Sequence, residues 1–226
     1  MLVYPYVDFY NRFLYYFLME NDFKFNTKRP GRPVGTSKPA TALTTAEIHR
    51  LLNAPQGKRR LYDRALIALC LCSGCRIGTA VKVSTAQLVS PDGKVRASYV
   101  VQAANDKSRR TIRYFLTTQG QEIIQDYVNS IEINEDKPLF PSPKTGLPMT
   151  SSSGSRRIST LLKRASIYEN SSHCLRRSFI SNLYLGQHLQ LVQISHIVGH
   201  HSVSQTQKYI DGLTPSIQKA MSKMRF

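Results

Sequence analysis

The chain has 226 residues, room for one large domain or for one domain with an appendage, and either would bury a sufficient core, so length alone excludes little. Thirty-one Lys and Arg against fourteen Asp and Glu give a formal charge of +17 and a pI near 10.0. That balance points to a polyanionic partner, nucleic acid before a membrane surface, because neutralising phosphates releases condensed counterions.

The chain opens on an aromatic segment, residues 1–26. Its most apolar stretch, Phe9 to Met19, is broken by Asn11 and Arg12. It falls short of the ~18 apolar residues of a membrane span. It also lacks the basic start and small-residue cleavage site of a signal peptide, so no membrane association is expected and the expected location is cytoplasmic. Residues 27–42 are basic and rich in Pro and Gly, which reads as a linker. Arg29 precedes a Gly31-Arg32-Pro33 core that resembles an AT-hook, whose arginines enter a minor groove; a solvated linker touching phosphates is the commoner outcome.

A third unit is expected over residues 43–226. Thr44 and Glu47 form a capping box ahead of Ile48, Leu51 and Leu52 at helical spacing. A second helix is expected from Leu61 to Leu71, with Gly74 suited to its C-cap and Arg76 in the turn beyond. Cys70 and Cys72 lie two apart on that helix and point to different faces, so the four cysteines read as buried thiols rather than a zinc site or a disulfide framework.

From Val95 to Val101 and from Ile112 to Leu116 the apolar period changes to two, with Asn105, Asp106 and Ser108 as turn residues between. This predicts a hairpin with Lys107 at its tip. The rest reads as helix: Thr118 to Asn129, Ser155 to Ala165, Leu175 to Leu185, Val192 to Val198 and Val203 to Asp211. A tail with Ile217, Ala220, Met221 and Met224 at helical spacing would pack on its own domain or on a neighbouring protomer.

The last third carries His173-Cys174-Leu175-Arg176, then Gly199-His200, then Tyr209, at offsets of 3, 24 and 9 residues. Four fixed identities at fixed offsets recur by chance in about one of 10^5 registers. This stretch resembles the signature of the tyrosine site-specific recombinases, the phage integrase family. Ser73-Gly74-Cys75-Arg76-Ile77-Gly78 resembles the family's first arginine motif, so the likeness runs from about Thr44 to Asp211.

The resemblance implies an α+β fold, mainly α, with a small antiparallel sheet or hairpin. It implies an enzyme that breaks and rejoins DNA through a 3′-phosphotyrosine without metal, ATP or other cofactor, working on double-stranded DNA as a homo-oligomer, a tetramer. A phenol is the right nucleophile because its phosphoester stores the bond energy for religation, and that role falls to Tyr209. Arg76 and Arg176 offer planar forks to the nonbridging oxygens, where charge builds in the transition state. His200 would add a hydrogen bond there, and His173 would accept the tyrosine proton or orient the phosphate. By resemblance, a hairpin lysine protonates the departing 5′ oxygen; Lys107-Ser108 ahead of Thr111 to Leu116 fits that pattern better than Lys94.

Each residue alone has a plainer reading: a surface arginine, a structural histidine, one of twelve tyrosines. His188, His196 and His201 are left to it. Arg109, Arg110, Arg113, Arg156, Arg157, Lys163, Arg164 and Arg177 are candidate DNA-backbone contacts, each also serviceable as a solubilising charge. The sequence departs from the family in three places: Gly78 and Thr79 stand where an acidic residue is usual, Cys174 where Asp is common, and Arg177 where His is common. The first forty residues are too few for the four-helix core-binding unit of full-length relatives and would supply at most one of its helices. A type IB topoisomerase-like enzyme and a DNA-binding regulator that kept the fold are the rival readings.

Overall fold

The computed structural model describes residues 40–105, 110–134 and 137–210. The aromatic segment, Arg29, Arg32, Lys107, Arg109 and the tail beyond residue 210 lie outside the described residues. Helix α1 (Thr45–Asn53) starts on the anticipated capping box, with the Thr44 hydroxyl accepting from Glu47 N and the Glu47 carboxylate accepting from Thr44 N. Its Ile48 and Leu51 face inward.

Helix α2 (Arg60–Ser73) is buried without interruption from Ala65 to Ser73, so it is apolar on every side, as a central helix must be. Two short helices follow that the sequence reading did not anticipate, α3 (Ile77–Ala80) and α4 (Thr85–Leu88). The second starts on a capping box of Ser84 and Gln87, a signal present in the sequence and overlooked because no apolar period long enough to notice follows it.

The hairpin is present. Strands β1 (Ser98–Val101) and β2 (Ile112–Phe115) pair antiparallel with Tyr99 opposite Tyr114 and Val101 opposite Ile112. These four face the core, and the two tyrosine rings stack with centroids 5.5 Å apart. The first strand is shorter than predicted: Val95 makes only an isolated bridge to Val89.

Helices α5 (Thr118–Val128), α6 (Ser151–Arg164), α7 (His173–Leu185), α8 (Leu191–Val198) and α9 (Val203–Ile210) complete the described chain. Helix α6 begins four residues before the predicted Ser155 because the Thr150 hydroxyl accepts from Ser153 N, which turns a serine run that reads as loop into a first helical turn. Packing centres on α2, with α5 and α7 its main neighbours. One large apolar cluster spans α1 to the start of α7. A smaller one joins the far half of α7 to α8: Phe179, Ile180, Leu183, Ile194 and Val198. Among the described residues no helix is long and apolar enough to cross a membrane.

Candidate functional site

Two helices end on glycines in the left-handed conformation, α2 at Gly74 and α8 at Gly199, each at φ +66°. Only glycine fits either place. A Cβ at Gly74 would lie 2.3 Å from the Phe179 ring, and one at Gly199 would lie 2.3 Å from Ile112 Cδ1. Each cap turns the chain into a candidate residue: Arg76 is the N-cap of α3, and His200 follows Gly199 directly.

Arg176 joins these two turns. Its Nη1 donates to Gly74 O at 2.6 Å and its Nη2 to Val198 O at 2.8 Å, so one guanidinium satisfies carbonyls at the C-termini of both α2 and α8. The side chain is 1% exposed, and its Nε is a buried donor with no partner in the protein. Burial lowers its pKa, neighbouring Arg76 lowers it further, and Tyr209 and Tyr114 work the other way. Two guanidinium groups near enough to repel each other, one with a buried donor unspent, are an arrangement that suits an anion.

His200 is buried beside them. Its Nδ1 lies 2.8 Å from the Thr206 hydroxyl, and its ring stacks on Tyr209 with centroids 5.4 Å apart. Burial, then the positive charges of Arg176 and Arg76, push the imidazole pKa down to about 3. The ring is therefore neutral near pH 7, with one nitrogen to donate and the other to accept.

Tyr209 is half-buried on α9, between His200 and Arg177. The Arg177 guanidinium sits 5.0 Å from the ring centroid, and its Nη2 donates to Lys208 O at 3.1 Å. Arg177, taken from sequence as a DNA-backbone contact, is thus turned onto the tyrosine's helix.

The structure gathers Arg76, Arg176, His200 and Tyr209. His173 is exposed at the first residue of α7, one turn from Arg176, beside a contact between Ser172 and Ser155 at 3.3 Å. Lys94 is exposed and pairs with Asp92 at 3.4 Å.

Of the basic candidates, Arg110, Arg113, Arg156, Lys163 and Arg164 are exposed. Arg156 adjoins Ser155 and hence the His173 turn, whereas Lys163 and Arg164 lie roughly 12 Å further along α6. Arg157 is corrected. It donates Nε and Nη2 to Asp63 at 2.7 and 2.5 Å, and Asp63 is fully buried, so the fork neutralises a core carboxylate instead of reaching for a phosphate.

All four cysteines are buried and free: Cys70 meets Cys75, and Cys72 meets Thr117. His188, His196 and His201 are exposed. Thr206 is the residue that sequence reading missed. Its signal was the spacing of three to Tyr209, which puts both on one helix face.

The phage integrase family model matches residues 41–214. The tyrosine recombinase XerD of Rickettsia conorii is 30% identical over 229 residues, covering 91% of this chain and 71% of the relative. The tyrosine recombinase XerC of Syntrophus aciditrophicus is 28% identical over 176 residues, covering 74% and 55%. Among solved structures the fold is similar to the XerA recombinase (TM-score 0.66, 21% identity, 88% of this chain and 68% of that one). It is also similar to the XerH site-specific recombinase bound to a palindromic difH substrate after cleavage (TM-score 0.64, 18% identity, 85% and 55%).

Proposed function

The chain belongs to the phage integrase family of tyrosine recombinases, and from that premise we propose that it cuts and rejoins duplex DNA at specific sites through a 3′-phosphotyrosine intermediate formed on Tyr209. The observation that carries the reading is the Arg176 tie, a buried guanidinium bonded to the turns that lead into Arg76 and His200, with Tyr209 stacked against the histidine.

In the proposed step the Tyr209 oxygen attacks phosphorus, the new bond joins tyrosine to the 3′-phosphate, and the bond to the 5′ oxygen breaks. The phenolic proton passes toward His173. Lys107 supplies a proton to the departing 5′ oxygen, on the strength of its match to the family pattern. Arg76, Arg176 and neutral His200 donate to the nonbridging oxygens as they gain charge. A 5′ hydroxyl from a second duplex then attacks the phosphotyrosine and releases the enzyme, so the exchange is isoenergetic and draws on no cofactor.

Double-stranded DNA as partner is supported by the net charge of +17, by the exposed Arg110, Arg113 and Arg156, and by the DNA-bound complex among the structural neighbours. Assembly as a tetramer on that DNA, with the tail reaching a neighbour, belongs to the same proposal.

The test is covalent capture. A pool of nicked suicide duplexes with randomised arms is offered to the protein, and adducts are recovered under denaturing conditions. The parent is expected to give an adduct that Tyr209→Phe abolishes while retaining duplex binding; an undiminished adduct in the variant places the nucleophile elsewhere. Joining of two captured sites marks a recombinase, and nicking with resealing alone marks a topoisomerase-like enzyme.

A further inference from the structure

We propose that Thr206 is a positioning residue that sets the tautomer of His200, so that the histidine becomes a phosphate donor only when the nucleophile's helix is seated. The proposal rests on the reading of Tyr209, His200 and the arginines given above.

On α9 the other described side chains are exposed or half-buried, and Thr206 is fully buried. A buried hydroxyl needs a partner, and this one has the His200 Nδ1 at 2.8 Å. His200 shares its surroundings with Arg176 from α7, Arg76 from the turn after α2, and Tyr209 from α9. Beside two guanidinium groups a second imidazole proton is disfavoured, so one ring nitrogen carries hydrogen and the other a lone pair. Which is which decides the chemistry. With hydrogen on Nε2 the ring can donate to an oxyanion; with hydrogen on Nδ1 it presents a lone pair that repels one.

A threonine hydroxyl can donate or accept, and by donating to Nδ1 it forces the proton to Nε2. The hydroxyl at 2.8 Å from Nδ1 is Thr206's, so the choice of tautomer falls to it. Thr206 lies one turn before Tyr209 on the same face, and the Tyr209 ring stacks on the same histidine. Docking of α9 therefore delivers the nucleophile and completes the donor set together. A helix lifted from its seat takes both away, which guards against a half-assembled site polarising a phosphate.

The experiment reads the tautomer directly. Nitrogen NMR of the DNA-free protein labelled at histidine is expected to show His200 protonated at Nε2 and accepting at Nδ1. Thr206→Val, which keeps the shape and removes the hydroxyl, should give a mixture of tautomers, and Thr206→Ser should restore the parental pattern. On a suicide duplex recovered by the capture above, Thr206→Val should cleave roughly 10- to 100-fold more slowly, the loss seen when a histidine loses the outer partner that orients it. Its adduct should remain on Tyr209, duplex affinity should be unchanged, and Thr206→Ser should recover most of the rate. A parental His200 protonated at Nδ1, or a valine variant that keeps the tautomer or the parental rate, would overturn the proposal. Failure of the parent to form any adduct while the tautomer responds to Thr206 would instead overturn the recombinase reading and leave the Thr206 contact standing.

Discussion

Helix α2 is buried from Ala65 to Ser73 and ends on the carbonyl that Arg176 grips, whereas α9 buries Thr206 among its described side chains and leaves Tyr209 half-covered. The arginine side of the site thus grows out of the large apolar cluster. The tyrosine side leans on the small one through a few directional contacts: the Thr206 bond, the His200 stack and the Arg177 clamp. Transition-state donors act best when they do not move, and the proposed ones sit where moving them would disrupt the core. On the proposed reading, the nucleophile that must engage and release a strand sits where repositioning costs a few weak contacts.

This contrast is broken most severely at Arg176. Replacing it with Ala removes a fork from the phosphate and leaves Gly74 O and Val198 O without their donor, each costing about 1–3 kcal/mol. Stability and cleavage should fall together, the rate by ~10²-fold or more. Arg176→Lys restores charge but cannot span two carbonyls and a phosphate, so it should recover little of either. Denaturant unfolding and single-turnover cleavage read the two effects, and a variant of parental stability would mean that Arg176 is no structural tie.

Arg157 tests the core side without touching the chemistry. Arg157→Ala strands the buried Asp63 carboxylate and should cost about 3–5 kcal/mol of stability. The double variant Asp63→Leu with Arg157→Leu should recover most of that loss, and cleavage per folded molecule should stay at the parental level in both. A rate defect that persists in the double variant would return Arg157 to the DNA-contacting set.

The same residue shows where reading the sequence stops. The α1 capping box, the Gly74 cap and the two strands of the hairpin follow from chemistry within a few positions, and all were legible. Arg157 read as a free cation because its partner lies 94 residues away, and no local pattern connects the two. The offsets from His173 to Tyr209 picked out the candidate residues, yet they said nothing of Gly74 O, Val198 O or Thr206. Backbone carbonyls leave no mark in a sequence, and a threonine one turn from a tyrosine is commonplace. Arg177 illustrates a related limit: charge beside another arginine suggested DNA, and no sequence pattern points to its contact with the Tyr209 ring.

A smaller change is expected on the tyrosine side. Arg177→Leu removes a cation from the Tyr209 ring and a donor from Lys208 O, together worth about 2 kcal/mol of local docking. Cleavage should fall by roughly tenfold, global stability should change by less than about 0.5 kcal/mol, and amide exchange should quicken in α9 but not in α2. Equal quickening in both helices would show that the two sides share one cooperative unit, and the contrast would fail.

The gentlest probe is pH, because it acts on the one group that both sides share. An imidazole whose folded pKa lies below its unfolded value of ~6.5 resists protonation only while folded. Its contribution to stability is full above ~6.5 and is lost as pH falls toward about 3. Between about pH 7 and about pH 5.5 the loss from His200 should be on the order of 1 kcal/mol. His200→Gln keeps an amide donor and cannot titrate, so the parent should lose that much more than the variant over the interval. Equal losses would mean that His200 takes up its proton without resistance and is not held near the charges of Arg76 and Arg176. The place of opening matters as much as its size. A protonated His200 is repelled by both arginines and no longer offers Nδ1 as an acceptor to Thr206, so acid should release α9 first. Amide exchange at about pH 5.5 should therefore rise in α9 while α2 keeps its protection, which is the order that a core-fixed phosphate pocket and a lightly seated nucleophile require.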